Sequence, residues 1–239
     1  MYKRILIKLS GESLMGEDAI IDKEKTREIA RLIKEVRDMG IEVGIVIGGG
    51  NFFRGRSNKD MEPLYVDTMG MLGTVSNALG LADAMKKEEL PCIISTPFDL
   101  NGLIPIYTPE EVLEKIKSNV VLFGGGTGHI GCSTDTAASN KASLIKADVI
   151  IKLTNVEGVY DKDPNKYADA VMYDFLTHQE VLDNPEIKVM DIPAIEECMH
   201  NNIDISVINF NDKKNLIKVL DGKKIGTRIS SNRWKNKII

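Results

Sequence analysis

Two lysines of this chain sit inside otherwise apolar runs, Lys8 in RILIKLS (4–10) and Lys152 in DVIIKLT (148–154). A cation in such a run either extends its ammonium group to the surface or meets an anion. Both runs end in small or polar residues. The first gives Lys8-Leu9-Ser10-Gly11-Glu12, and the second gives Lys152-Leu153-Thr154-Asn155 with Gly158, Tyr160 and Asp163 just beyond. Two more apolar runs end in glycine triplets. One is Gly48-Gly49-Gly50-Asn51, followed by Arg54. The other is Gly124-Gly125-Gly126-Thr127-Gly128, leading into Ser133-Thr134-Asp135-Thr136. Glycine lets backbone N–H groups face oxyanions with no Cβ in the way. One such turn is ordinary loop chemistry. Several on one edge of a sheet, with Lys8 and Arg54 beside them, point to a polyphosphate site. Each residue also has a plainer reading: Arg54 as a solvated loop cation, Gly48–Gly50 as a strand exit, Asp135 as a helix cap. Lys152 is balanced between packing and phosphate.

Two nucleotide-binding patterns are matched only in part. Gly11-x4-Gly16 opens like a P-loop, but Glu17 and Asp18 stand where Lys and Ser or Thr are needed and would repel phosphate. Gly126-x-Gly128-x-x-Gly131 fits the dinucleotide fingerprint. However, the next strand ends in Thr154-Asn155 where an acid belongs, and Glu157 lies past it. A dinucleotide-dependent oxidoreductase is therefore the weaker alternative. His129, His178 and His200 lack zinc-ligand spacing, so no protein-caged metal is expected. Cys132 reads as loop lining, and Cys92 and Cys198 as core. Three unpaired cysteines suit a reducing cytosol.

Holding those strand ends together requires a layered fold. RILIKLS (4–10), IEVGIVIGG (41–49), PCIISTP (91–97), NVVLFGG (119–125), DVIIKLT (148–154) and DISVINF (204–210) are continuous apolar runs, the pattern of strands buried on both faces. Helical patterns fit 24–39, 64–88, 109–117, 134–146, 193–202 and 213–220. The alternation predicts an α/β fold with a mostly parallel sheet covered by helices, and ligands beyond the carboxyl ends of its strands. Within 64–88, Gly70, Gly73 and Gly80 each cost ~1 kcal/mol against Ala in a helix. The return expected is close approach of another backbone, from the chain's own sheet or from a second subunit. With no linker or repeat, a single domain over residues 1–239 is expected.

Composition narrows the partners. At 43% apolar and 28% charged residues, the chain can bury a full core. The net charge of −4 opposes nucleic-acid binding by phosphate neutralisation. No run reaches the ~18 apolar residues of a membrane span, and MYKRILIKLSGE is too charged for a secretory signal. A cytoplasmic protein with no nucleic-acid or membrane partner is expected.

KLSGE (8–12), IGGGNFFRG (47–55), DTMGMLGTV (67–75), GGGTG (124–128), STDTAA (133–138) and KVMD (188–191) follow one another in the order of a known pattern. From about residue 3 to about residue 229, the chain resembles the bacterial uridylate kinases of the amino acid kinase family. The resemblance implies a three-layer α/β/α sandwich around a mainly parallel sheet. It also implies Mg²⁺-dependent phosphoryl transfer from ATP to UMP in pyrimidine nucleotide biosynthesis, and a homo-oligomer, hexameric in bacterial members. Carried over by position, Lys8, Arg54 and Asp135 would be catalytic, with Asp135 orienting Lys8 and the magnesium shell. Lys8, Leu9, Ser10, Gly11, Gly50 and Arg54 would meet the ATP phosphates, and Thr154, Asn155, Tyr160 and Asp163 its base and sugar end. Gly49 would approach the UMP phosphate, and Asp67 the uridine hydroxyls. Thr127, Gly128, His129, Ile130, Gly131, Cys132, Ser133 and Thr134 would wrap UMP. Mg²⁺ would ride mainly on the nucleotide phosphates. In the acceptor loop the family's Pro and aromatic residues are replaced by His129, Ile130, Gly131 and Cys132, and His129 is a candidate partner for the base. A sibling kinase acting on a carboxylate or carbamate, and a non-catalytic nucleotide-binding regulator, are the alternatives. The carboxylate kinases lack the stretch 67–72.

Overall fold

The apolar runs do become strands. A computed structural model describes residues 2–54 and 60–231; Gly55, which ends the 47–55 motif, lies outside them. The strands are β1 (Arg4–Leu9), β2 (Glu42–Ile47), β3 (Cys92–Ser95), β4 (Val120–Phe123), β5 (Val149–Thr154), β6 (Val159–Tyr160), β7 (Met172–Tyr173), β8 (Phe175–Leu176), β9 (Asp204–Asn209) and β10 (Thr227–Ile229). The helices are α1 (Lys23–Asp38), α2 (Pro63–Lys87), α3 (Pro109–Lys115), α4 (Thr134–Ile145), α5 (His178–Asp183), α6 (Ile192–His200) and α7 (Lys214–Leu220). Eight strands form one sheet in the order β3-β4-β2-β1-β5-β9-β10-β8. All neighbours are parallel except β9 and β10. Strands β6 and β7 pair as a separate antiparallel ribbon.

Strand alternation sends successive side chains into two cores. Ile5, Ile7, Leu9, Val43, Ile45 and Ile47 join Ile29 and Ile33 of α1, Leu81 and Met85 of α2 and Leu216 of α7. Leu6, Val46 and Ile150 face the other way, onto Ala138 and Ala142 of α4 and Ile195 and Cys198 of α6. Each fully buried Ile or Leu contributes ~2 kcal/mol before entropy is counted. By the same alternation, Lys8 and Lys152 point to the α4 side. The three-layer α/β/α arrangement therefore determines which helix can meet them.

Helix starts follow from their caps. Asp22 accepts the Lys25 amide at 2.8 Å to begin α1, and Thr108 and Glu111 form a capping box at α3. In α2, a Cβ on Gly73 would lie 3.0 Å from Phe52 Cβ, and one on Gly80 2.9 Å from Ile21 Cγ2. Those two glycines are where the helix meets its own chain. Gly70 has open space at its Cβ position. The outward side of α2 leaves Leu64, Tyr65, Met69, Leu72 and Leu79 exposed. Among the described residues, no helix is long and apolar enough to cross a membrane.

His178, fully buried at the start of α5, ties the lower end of the sheet together. Its Nε2 faces the Ile203 carbonyl at 3.1 Å and so carries the proton, leaving Nδ1 to accept from the Ser231 hydroxyl at 3.1 Å. Burial holds its pKa below the usual histidine value, against the opposing pull of Asp204. Above the ordinary pKa near 6.5 the ring is neutral in both folded and unfolded chains. As pH falls through that value the unfolded chain takes up a proton that the folded chain resists, and stability is lost until the folded pKa is passed. The urea midpoint is therefore expected to fall between pH 7 and pH 5, and to fall less in His178→Gln. Equal slopes in the two proteins would remove this role.

Candidate active site

Lys8 and Lys152 are register partners on the adjacent parallel strands β1 and β5. Two like charges side by side require an anion, and α4 supplies it. Asp135 lies in the first turn of α4, with its Oδ1 3.1 Å from Lys8 Nζ and 3.3 Å from Lys152 Nζ. Lys152 also donates to Asp135 Oδ2 at 3.3 Å and to the Val189 carbonyl. The three side chains are only 15–20% exposed. Burial and the neighbouring Lys8 charge lower the Lys152 pKa, and Asp135 opposes them.

The cap of α4 is Ser133 and not Asp135. Ser133 Oγ accepts the amides of Asp135 at 3.0 Å and Thr136 at 3.1 Å. That leaves the Asp135 carboxylate free of capping, aimed at the lysines. Asp191, from the KVMD motif, holds this cap in turn. It accepts from Ser133 Oγ and, at 2.8 Å, from Thr136 Oγ1, while its other oxygen takes the Ala194 amide at 3.1 Å to start α6. Lys152 was evenly balanced in the sequence, and Asp191 was only a motif letter. The Asp-Ile-Pro order marks a helix start, but its reach to Ser133 spans 58 residues.

The glycine turns close around this cluster. Ser10 Oγ accepts the Glu12 amide at 3.3 Å, starting a short 3₁₀ turn at Gly11–Leu14 directly after the buried Leu9. A Cβ on Gly11 would lie 2.5 Å from the Gly48 carbonyl, so the first two turns touch without room for a side chain. Gly48 in turn sits against Thr134, whose Oγ1 would be 3.6 Å from a Cβ there. Arg54 pairs with Glu12, whose Oε1 would lie 3.8 Å from a Cβ on Gly50. In the third turn Gly125 and Gly126 have φ of +82° and +60°, which L side chains rarely adopt. Strand alternation and the α4 cap therefore gather Lys8, Ser10, Gly11, Gly49, Gly50, Arg54 and Thr134 at one edge with Asp135.

The loop 127–133 is latched rather than packed. Asp67, early in α2, accepts the Gly131 amide at 2.6 Å. Thr127 Oγ1 accepts the His129 amide at 3.1 Å, and Gly128 N–H donates to Gly125 O at 3.1 Å. His129, Ile130, Gly131 and Cys132 are exposed. On the other flank, Thr154 ends β5 two residues past Lys152. Its Oγ1 donates to the Val156 carbonyl at 2.8 Å, turning the chain past the exposed Asn155. Tyr160 lies on the β6–β7 ribbon. Asp163 belongs to its own turn, accepting the Asn165 amide at 3.0 Å, which holds its carboxyl below the usual range.

A mostly parallel sheet with glycine turns, two lysines and one carboxylate at one edge is suited to an enzyme that holds and transfers phosphoryl groups. The chain belongs to the amino acid kinase family, whose model matches residues 3–209. Among solved structures it is similar to the UMP kinase of Bacillus anthracis, with a TM-score of 0.92 and 31% identity over 97% of both chains. It is also similar to the UMP kinase of Ureaplasma parvum, with a TM-score of 0.90 and 33% identity over 96% of this chain and 99% of that one. The uridylate kinase of Archaeoglobus fulgidus matches with a TM-score of 0.71 and 30% identity, over 94% and 99%. The fold expected from the motifs is thus the one these kinases share.

Proposed function

We propose that the chain, acting as one amino acid kinase domain, transfers the γ-phosphoryl group of ATP to UMP, giving ADP and UDP for pyrimidine nucleotide synthesis. The observation that carries this reading is the Asp135 carboxylate held between Lys8 and Lys152 where the glycine turns meet. The likeness to UMP kinases along nearly the whole chain supports UMP as the acceptor.

The chemistry asks little of a base. The attacking group is a phosphate oxygen, already ionised near pH 7, so catalysis reduces to alignment and charge neutralisation. Two unit charges 4 Å apart in an effective dielectric of 20 repel by about 4 kcal/mol. Lys8 and Lys152 meet the transferring group from below, Arg54 leaves Glu12 to contact phosphate oxygens, and turn amides cover the rest. Asp135 keeps the two ammonium groups together and raises the Lys152 pKa against burial. One carboxylate beside two lysines fits a metal delivered on ATP phosphates better than one caged by protein. Mg²⁺ carried on those phosphates would neutralise part of their charge, with Asp135 the residue placed to orient its shell. Thr154, Asn155, Tyr160 and Asp163 form the flank for the adenine end, and Asp67 with residues 127–134 the flank for UMP. The exposed apolar side of α2 fits a homo-oligomer, a hexamer by family resemblance, in the cytoplasm.

A coupled assay with ATP and a panel of UMP, CMP, dUMP and small carboxylic acids tests the reading. UMP is expected to be turned over at least ~10-fold better than any other acceptor; transfer to a carboxylate and not to UMP would overturn it. In the same panel, His129→Ala is expected to raise the KM for UMP by about 5- to 10-fold, the worth of one hydrogen bond to the base. An unchanged KM for UMP, with the same ratios among UMP, CMP and dUMP, would remove His129 from base recognition.

A further inference from the structure

Both glycine triplets of the site rest on one helix. Thr74 of α2 is buried, and its Oγ1 accepts the Gly125 N–H at 2.7 Å while donating to the Met71 carbonyl at 2.7 Å. One turn on, the fully buried Asn77 donates from Nδ2 to the Gly48 carbonyl at 2.7 Å. Asn77 also exchanges amide hydrogen bonds with Asn51, 2.8 Å in each direction, and Asn51 Nδ2 reaches the Ile20 carbonyl at 2.9 Å. The backbones meet as closely as atoms allow. A Cβ on Gly49 would lie 2.5 Å from the Gly70 carbonyl oxygen, and one on Gly124 3.1 Å from Val75 Cα. Neither Thr74 nor Asn77 has a place in the chemistry described above.

The turns leave β2 and β4, which pair directly, but only up to Val46 and Phe123. Past that point β2 and β4 no longer pair with each other: Gly48 N–H donates to the Leu9 carbonyl at 2.9 Å and Gly124 N–H to the Ser95 carbonyl at 3.0 Å, each on the strand away from the other's turn. Positions three and four apart share one helix face, so Gly70, Gly73, Thr74 and Asn77 form a single row with ~1.5 Å of rise per residue. We infer that Thr74 and Asn77 are positioning residues for phosphoryl transfer: through Gly125 and Gly48 they fix, at one mutual distance, the turn that leads into the UMP loop 127–134 and the turn where Gly49 meets the UMP phosphate and Gly50 the ATP phosphates. The inference rests on the two-nucleotide reading of the site given above.

Its signature is alignment without affinity. Each turn keeps its own amides when an anchor is removed, so each still makes its own contacts to the nucleotides. What is lost is their relative placement, and a misplacement of ~1 Å costs about 10²-fold in rate. Thr74→Val is close in shape and leaves the Gly125 N–H without its acceptor. Thr74→Ala does the same with a better helix former, and Thr74→Ser restores the hydroxyl.

The test compares these three variants with the unaltered enzyme, using MgATP and whichever monophosphate that enzyme turns over fastest. For Thr74→Val and Thr74→Ala, kcat is expected to fall about 10- to 100-fold, with both KM values within about threefold. Thr74→Ser is expected to stay within about threefold throughout. Thermal melting confirms folding, and Thr74→Ala carries the test if Thr74→Val does not fold. Unchanged kcat, a rise in KM alone, or a serine variant as impaired as alanine would overturn the inference. An enzyme that prefers another monophosphate would sink UMP as the substrate, while the same kcat split would still decide the role of Thr74.

Discussion

Asp135→Asn is expected to lower kcat by about 10²- to 10³-fold, the cost of losing one preorganised electrostatic contact at a transition state. ATP and UMP affinities, measured separately by equilibrium titration, should move by no more than about threefold. The reason lies in what the carboxylate holds. Lys8 and Lys152 Nζ are 3.1 Å and 3.3 Å from the same oxygen, so without its charge two ammonium groups face each other across adjacent strands. At ~6 Å and an effective dielectric of 20 that repulsion is about 3 kcal/mol. One lysine then swings away or loses its proton. The variant should also lose about 1–3 kcal/mol of stability, below the cost at a deeply buried pair because these groups keep some contact with water. The pH profile supplies a further sign. Asp135 raises the Lys152 pKa against burial and Lys8. Removing that charge moves the alkaline limb of the rate profile to lower pH. An asparagine variant with full turnover, or one that loses nucleotide binding outright, would contradict this role.

Lys152→Met should separate activity from stability. Methionine keeps the length and apolar stem of the lysine and removes its charge. Activity is expected to fall about 10²-fold, since one of two cations on the transferring group is gone. Stability should hold or rise, because the pair of Lys8 with Asp135 stays intact and a mostly buried ammonium group no longer has to be desolvated. Combined with Asp135→Asn, the losses should be far from additive, as expected for groups that act as a unit. Melting temperatures and kcat for the single and double variants check this. Additive losses would mean that Lys152 works apart from Asp135.

The layered fold was legible because β1, β2, β4, β5 and β9 are buried on both faces, and such runs carry the plainest apolar signal; among the six runs only the edge strand β3 is half-buried. The short strands β6, β7, β8 and β10 have two or three residues each, too few for any periodicity to show. Helix α5 was missed for the same reason, although its capping box of Thr177 and Glu180 was present to be read. In the site, the glycine turns, Lys8, Arg54 and Asp135 stood out by residue type and position. The role of Lys152 did not, because its pairing with Lys8 depends on β1 and β5 being neighbours, which only the strand order decides. The plainer reading of Asp135 as a helix cap falls away because Ser133 takes that place two residues earlier. Thr74 and Asn77 were hidden more deeply. In the sequence they are two small polar residues in a glycine-rich helix, and their partners Gly125 and Gly48 lie 51 and 29 residues away.

A crystal structure with a non-hydrolysable ATP analogue and UMP bound together measures the central geometry directly. The terminal phosphate of the analogue is expected within hydrogen-bond distance, about 3 Å, of both Lys8 and Lys152 Nζ, with the UMP phosphate in line beyond it against Gly49. A terminal phosphate out of reach of both lysines, or UMP seated away from the loop 127–134, would contradict it.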